Sequence, residues 1–409
     1  MIDISKLSVL VLDDEHFMLK LLAHQLNVLG FNLVISCDSG FAALEAINSS
    51  DSTIGLVLCD LNMPEMDGVE FIRHLVEQAY QGALILVSGV DMRILQAAER
   101  LAKAHGMTLL GVLQKPVSSQ SLQLLLEQWL PSLTRSISRP RAVFGAAEIR
   151  SAIDARQFLN YYQPKVGVPG GELVGVEALV RWNHPLSGLV YPDQFISTAE
   201  THDLIDALTQ QVLQNALGDA AIWRRAGMAL PIAVNISMDS LGDLDFPDRM
   251  AHMATRAGVA PQDVTLEITE SRVMKNARAA LEILTRLRLK GFALSIDDFG
   301  TGHSSLAQLR DLPFSQMKID RGFVHGAHSN STTRAIYTSS LAMGKELSLD
   351  IVAEGVETID DWNFLKRTGC HTAQGFFVAR PMAAEGLPNW LSAWSDRVQR
   401  ELFNPPETG

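Results

Sequence analysis

Short apolar runs alternate along this chain with stretches of helical periodicity, and no other feature restricts the fold so strongly. An apolar run too short for a buried helix, followed by an amphipathic helix, reads as a parallel strand covered on both faces. Residues 7–12 (LSVLVL), 33–36, 54–59 (IGLVLC), 83–87 (ALILV) and 109–113 (LLGVL) make the first series, with helices expected at 17–29, 40–47 and 119–129. This pattern predicts a doubly wound, flavodoxin-like sheet of five parallel strands.

Residues 131–141 (PSLTRSISRPR) then break the periodicity with prolines, serines and arginines, which reads as a linker. The expected division is a first domain at 1–130, a linker at 131–145, a second domain at 146–398 and a tail at 399–409. In the second domain the strand candidates are 161–166, 173–182, 232–237, 264–269, 292–297, 316–320, 350–356 and 372–379, most of them separated by helical segments. Eight such strands over about 250 residues predict a TIM-type (β/α) barrel, an α/β architecture like the first domain.

Composition removes several function classes. A formal charge of -12 opposes binding to a nucleic-acid polymer, which needs basic surface to displace counterions. It leaves open a small phosphate ligand held through cations that the carboxylates bind. No apolar run approaches the roughly 18–20 residues of a membrane helix, and the start MIDISKLSVLVLDDE has no secretory pattern. The expectation is a cytoplasmic protein with no membrane partner. Cys37, Cys59 and Cys370 have neither disulfide-framework nor zinc-ligand spacing.

In a parallel sheet the carboxyl ends of the strands share one crevice. Asp13 and Asp14 follow the first strand, Asp60 ends the third, Ser88 the fourth, and Lys115 precedes Pro116 after the fifth. Three carboxylates suit Mg²⁺, while a lysine and a hydroxyl suit a phosphoryl group carried by one of them. With the run Asp60-Leu-Asn-Met-Pro-Glu-Met-Asp-Gly68, residues 5–130 resemble the receiver domain of two-component response regulators. The resemblance implies Asp60 as phosphoacceptor, Asp13 and Asp14 as Mg²⁺ holders, Ser88 and Lys115 as sensors of the acyl phosphate, and a sensor histidine kinase as partner. Val112 stands in the stretch where such domains usually carry an aromatic switch, so output through a rotating ring is not expected.

The second series ends in acidic residues too. Glu177, Leu179 and Arg181 alternate on one strand face, which suits a metal and a phosphate side by side. Asn235, Glu267, the pair Asp297-Asp298, Lys318, Asp320, Glu354 and Gln374 lie at or near successive strand ends, where barrel active sites gather. Their mutual repulsion would be costly without bound cations.

The motifs YYQPK (161–165), EAL (177–179), EITE (267–270), DDFG (297–300), KID (318–320), EGVE (354–357) and QG (374–375) make residues 146–395 similar to the EAL-domain cyclic di-GMP phosphodiesterases. That likeness implies two Mg²⁺ or Mn²⁺ ions. Glu177, Asn235, Glu267 and Asp297 would hold one; Asp297, as bridge, Asp298 and Glu354 would hold the other. It further implies Lys318 on the attacking water, Arg181 on a substrate phosphate, Gln163 near a guanine, Leu179 and Asp320 at the substrate, and Gln374 ordering water. Glu270 would anchor the glycine-containing loop at 299–305, the expected relay from the receiver.

The reaction implied is two-metal hydrolysis of cyclic di-GMP to linear pGpG, controlled by receiver phosphorylation in a homo-oligomer. A barrel that only senses the dinucleotide is the rival reading, but such members typically lose metal ligands and none is lost here. A transcription factor is disfavoured by the lack of a helix-turn-helix pattern or basic face.

Overall fold

The computed structural model describes residues 7–49, 54–89, 92–138, 144–237, 243–269, 277–300, 309 and 311–402. The chain forms two compact units that divide between Ala142 and Val143.

The first unit runs β1 (Ser8–Leu12), α1 (His16–Val28), β2 (Leu33–Cys37), α2 (Gly40–Ser49), β3 (Ile54–Asp60), α3 (Gly68–Glu77), β4 (Ala83–Ser88), α4 (Met92–Ala104), β5 (Thr108–Gln114) and α5 (Ser119–Ser138). Its strands make one sheet in the order β2-β1-β3-β4-β5, all parallel. Alternate residues of β1, Leu10 and Leu12 against Val9 and Val11, enter the two separate apolar layers beneath the helices. The strands therefore carry little polarity until their carboxyl ends, where the charged residues collect.

Helix α5 continues through Pro131 to Ser138, into the stretch read from sequence as a linker. The apolar spacing of Leu122, Leu126 and Trp129, all buried, continues in sequence through Leu133 and Ile137. Pro131 has no N–H to give to the carbonyl of residue 127, so this turn of the helix lacks one backbone bond.

The second unit opens with α6 (Ala146–Asp154), β6 (Phe158–Gly167), β7 (Leu173–His184), β8 (Gly188–Val190), α7 (Ile196–Thr201), α8 (Ile205–Arg225) and β9 (Ile232–Asn235). It continues through α9 (Phe246–Ala257), β10 (Val264–Thr269), α10 (Ala277–Leu289), β11 (Ala293–Phe299), β12 (Gln316–Ile319) and the short α11 (Arg321–Val324). The last elements are α12 (Ser331–Glu346), β13 (Asp350–Ala353), α13 (Ile359–Thr368), β14 (Thr372–Ala373), β15 (Met382–Ala383) and α14 (Leu387–Arg397).

The order β6-β14-β13-β12-β11-β10-β9-β7, closed by the pairing of β7 with β6, makes an eight-stranded barrel. Six of the eight neighbour pairs are parallel, but β6 runs antiparallel to both β7 and β14. The reason lies in the connection. Only Val168 to Glu172 separate β6 from β7, too few for a crossover helix, so the chain must turn as a hairpin. The turn is closed by Gly167 N–H on the Glu172 carbonyl and by Gly171 N–H on Gly167, with Gly171 at φ +72°.

The last strand is shorter than the apolar run at 372–379 suggested. After Gln374 the chain bends, and the amides of Val378 and Ala379 both donate to the Gly375 carbonyl, at 3.1 and 3.0 Å. Gln374 and Glu354 each lie one residue beyond a strand, at the mouth.

Candidate functional site

In the first unit, Lys115 reaches back from the end of β5 to the carboxylates of two other strands. Its Nζ lies 2.8 Å from Asp13 Oδ2 and 2.7 Å from Asp60 Oδ2. Asp13, Asp14 and Asp60 each offer an oxygen, all within 4.8 Å of one another. Burial pushes the Asp13 carboxyl up, against the pull of Lys115. Burial alone would lower the Lys115 ammonium, but hydrogen bonds to the two carboxylates outweigh it and raise it. Ser88 is fully buried at the end of β4, and Val112 packs partly buried against the apolar layer. The loop behind Asp60 closes tightly: a Cβ on Gly68 would stand 2.5 Å from the Asp60 carbonyl oxygen. Asp67 then caps α3, accepting from Val69 N at 2.9 Å and Glu70 N at 2.8 Å.

The barrel mouth is centred on Lys318. This side chain is 1% exposed, and its Nζ lies 2.7 Å from Glu267 Oε2, 2.7 Å from Glu354 Oε1, 3.0 Å from Asp297 Oδ1 and 3.5 Å from Glu177 Oε2. Four carboxylates from four parts of the barrel thus meet at one ammonium, whose pKa their combined charge drives up although burial opposes it. Asn235 donates its amide to Glu177 Oε1 at 2.8 Å, a contact that does not use its carbonyl oxygen. Gln374 donates to Glu177 Oε2 at 2.6 Å and to Gln163 Oε1 at 3.2 Å.

Asp297 and Asp298 share the mouth because β11 bulges. Ile296 pairs with Met317 and Phe299 with Ile319, so two residues stand opposite Lys318 alone. Asp298 takes φ +54°, a left-handed conformation that aspartate tolerates better than most residues. The result is a group of oxygens from Asp297, Asp298 and Glu354 within 4.8 Å of one another. Burial, with the charges of Asp297 and Asp320 beside it, raises Asp298 to about 6. Burial raises Glu354 to about 8, against the pull of Lys318. Glu177 is held low despite its burial, because Lys318 and Lys165 face it.

Lys165 enters the sequence reading only as the last residue of the YYQPK motif, with no role assigned. It is buried, and its Nζ lies 2.5 Å from Glu267 Oε1, so Glu267 accepts from two lysines at once. The available signal was alternation: Lys165 sits two residues after Gln163 and points the same way into the barrel. Seeing its partner required β6 to run antiparallel, which places Gln163 opposite Glu177 and Lys165 one step deeper.

Arg181 stands between two rings, its Cζ 5.6 Å from the Tyr161 centroid and 5.0 Å from that of Tyr191. Nη1 donates to the Val180 carbonyl at 2.8 Å, and Nε has no partner among the described residues. Asp320 caps α11 through Gly322 N at 2.8 Å. Leu179 helps wall a cavity of about 390 Å³ that opens beside Asn235 and Asp298. Glu270 and residues 301–305 of the loop expected at 299–305 to act as relay lie outside the described residues. Among the described residues no helix is long and apolar enough to cross a membrane.

A parallel sheet with three carboxylates and a lysine at one edge, joined to a barrel with a carboxylate-lined mouth, defines a receiver attached to a catalytic-type barrel. The chain belongs to the EAL-domain family: residues 146–381 match the EAL domain, and residues 9–127 match the response regulator receiver domain. It is 34% identical over 94% of its length, and 99% of the relative's, to the cyclic di-GMP phosphodiesterase RocR of Pseudomonas aeruginosa. To the bifunctional diguanylate cyclase/cyclic di-GMP phosphodiesterase MucR of the same organism it is 44% identical, over 59% of this chain and 35% of MucR. A solved structure, the PaMucR phosphodiesterase in complex with c-di-GMP, superposes with a TM-score of 0.56, covering 59% of this chain and 98% of that one.

Proposed function

We propose that the protein hydrolyses cyclic di-GMP to linear pGpG at the barrel mouth, under control of a phosphoryl group that a sensor histidine kinase places on Asp60. The observation that carries this reading is the meeting of Glu177, Glu267, Asp297 and Glu354 at the buried Lys318, with Arg181 four residues along the strand from Glu177 and its Nε–H without a partner among the described residues. So many carboxylates in a buried site suit hard divalent cations and little else.

Glu177, Asn235, Glu267 and Asp297 would hold one Mg²⁺ or Mn²⁺, and Asp297, Asp298 and Glu354 the other. When bound, such ions acidify water and neutralise the charge that develops on a phosphodiester. The chain's own groups do the rest. Arg181, fixed between Tyr161 and Tyr191, binds a non-bridging phosphate oxygen. Lys318 orients the attacking water, and Glu354, 2.7 Å from Lys318, takes its proton. The water oxygen bonds to phosphorus as the ester bond to the ribose 3′ oxygen breaks, and that oxygen takes up a proton. The cavity walled by Leu179, Pro192, Ile196 and Leu208 offers an apolar slot for one guanine. Gln163 and Gln374 line a second cavity together with Glu177 and Glu354. The receiver pocket would hold its own Mg²⁺ on Asp13, Asp14 and Asp60. The protein acts as a cytoplasmic homo-oligomer in this reading.

The test is chromatographic detection of pGpG from cyclic di-GMP with purified protein in Mg²⁺ or Mn²⁺, with and without a small-molecule phosphodonor. Turnover that Asp297→Asn abolishes in a folded protein is the expected result. A wild-type protein that binds the dinucleotide without cutting it refutes the proposal and leaves a sensor.

A further inference from the structure

The chain leaves the stretch between the two units and re-enters the described structure at Phe144, and the first thing Phe144 touches is the strand that carries Arg181. Its ring, 3% exposed, lies 4.5 Å from Trp182 and 5.1 Å from His184, centroid to centroid. Trp182 and His184 are themselves 4.9 Å apart, edge to face.

Helix α6, which begins two residues after Phe144, is fastened to the same strand at both ends. Near its start, Glu148 Oε1 lies 2.9 Å from His184 Nε2. His184 Nδ1 accepts from Leu186 N and Ser187 N, at 3.2 and 2.9 Å, so the ring proton sits on Nε2 and is donated to Glu148. Just past its end, Gln157 accepts from Trp182 Nε1 at 2.9 Å, and its carbonyl accepts from Asn183 N at 2.9 Å.

All these contacts fall on the part of β7 that pairs with β8 as a hairpin, Trp182 opposite Val190 and His184 opposite Gly188. Arg181 and Trp182 are consecutive strand residues and so point to opposite faces. Tyr191, which stacks on Arg181, follows β8 directly. One face of the hairpin therefore holds the phosphate-binding guanidinium and one of its flanking rings, and the other face is clamped to Phe144 and helix α6, where the described residues of this unit begin. Buried aromatic packing of this density transmits displacement, because it has no free volume to absorb it.

We propose that the Phe144–Trp182–His184 cluster is the mechanical input of the barrel: tension or rotation arriving through the inter-domain chain moves the β7–β8 hairpin and sets the position of Arg181. This relay rests on the proposed activity and names how that activity is regulated. Because Arg181 meets a phosphate present in both substrate and transition state, the regulated quantity is substrate affinity, not the chemical step. Phe144 and Glu148 are positioning residues, with no contact to the reacting atoms.

The experiment uses the full chain and measures KM and kcat for cyclic di-GMP with and without phosphodonor, alongside thermal unfolding. Phe144→Ala is expected to raise KM about tenfold, the scale of one weakened charge-assisted contact, with kcat little changed. It should also collapse the phosphodonor-dependent change in KM, and Phe144→Leu should restore both. If Phe144→Ala does not fold, Glu148→Ala, which removes the acceptor for His184 Nε2–H, gives the same reading with every ring in place: KM rises and kcat holds. A folded Phe144→Ala or Glu148→Ala protein with wild-type KM and a full response overturns the relay and leaves the activity standing. A wild-type response in kcat alone also overturns it. A wild-type protein with no turnover defeats the activity and the relay together.

Discussion

Replacing Lys165 by methionine isolates the energetics of the site without touching a proposed metal ligand. The side chain is buried beneath the mouth, and its Nζ is 2.5 Å from Glu267 Oε1. Methionine keeps most of the length and apolar contact but removes the charge. Glu267, fully buried and already pushed up by burial and by the neighbouring Glu177, then keeps only Lys318. Removing one partner of a buried pair costs roughly 3–5 kcal/mol, and the surviving lysine argues for the lower end, about 3 kcal/mol. For a unit of this size each kcal/mol moves Tm by roughly 2–4 °C, so a fall of about 6–12 °C is expected. Added Mg²⁺ should narrow that gap, because a cation on Glu267 supplies the charge that the lysine no longer does. Differential scanning calorimetry on both proteins, with and without Mg²⁺, reads these values directly. A Tm within about 2 °C of wild type in the metal-free protein, or a gap that Mg²⁺ leaves unchanged, would refute the idea that Lys165 neutralises Glu267.

Three further outcomes are expected. In the metal-free protein Glu354 and Asp298 titrate at about 8 and about 6, so below those values each carries a proton that an incoming cation must displace. Mg²⁺ affinity should therefore rise from pH 6 to pH 8.5 with protons released, and calorimetry showing a flat or falling affinity would contradict the site's electrostatics. Arg181→Ala should raise KM by about 10–100-fold and spare kcat, since the lost contact is charge-assisted; a collapsed kcat at unchanged KM would move Arg181 into the chemical step. Gly68→Ala should destabilise the receiver and impair phosphorylation of Asp60, because the new methyl would meet backbone at 2.5 and 2.7 Å; a fully phosphorylatable, equally stable variant, read by Phos-tag gel and thermal melt, would show that the loop yields.

Much of this protein is legible in its linear order, for a definite reason. Parallel strands end on one edge, so a list of residues at strand ends is already a list of neighbours. Asp13, Asp60, Ser88 and Lys115, and likewise Glu177, Asn235, Glu267 and Asp297, could be named from apolar periodicity and motif before any coordinates. What periodicity cannot express is direction and local twist. The expected strands at 161–166 and 173–182 stand close together in the sequence, but only closure of the barrel shows that reversing β6 carries Lys165 under Glu267. Two adjacent aspartates should diverge on an ideal strand, and it is the bulge opposite Lys318, with Asp298 left-handed, that turns both toward the mouth. Nor does any spacing rule join Phe144 to Trp182 and His184, since ring packing between distant segments depends on how helix α6 lies across the hairpin. Sequence by itself determined the five strands of the sheet, the eight of the barrel and the polar groups near their ends, because those follow from local alternation, while the short β8 and β15 had no such signal. The tertiary structure decided which of those groups share a proton, a charge or a mechanical contact, because such pairings act through space and are set by closure and packing.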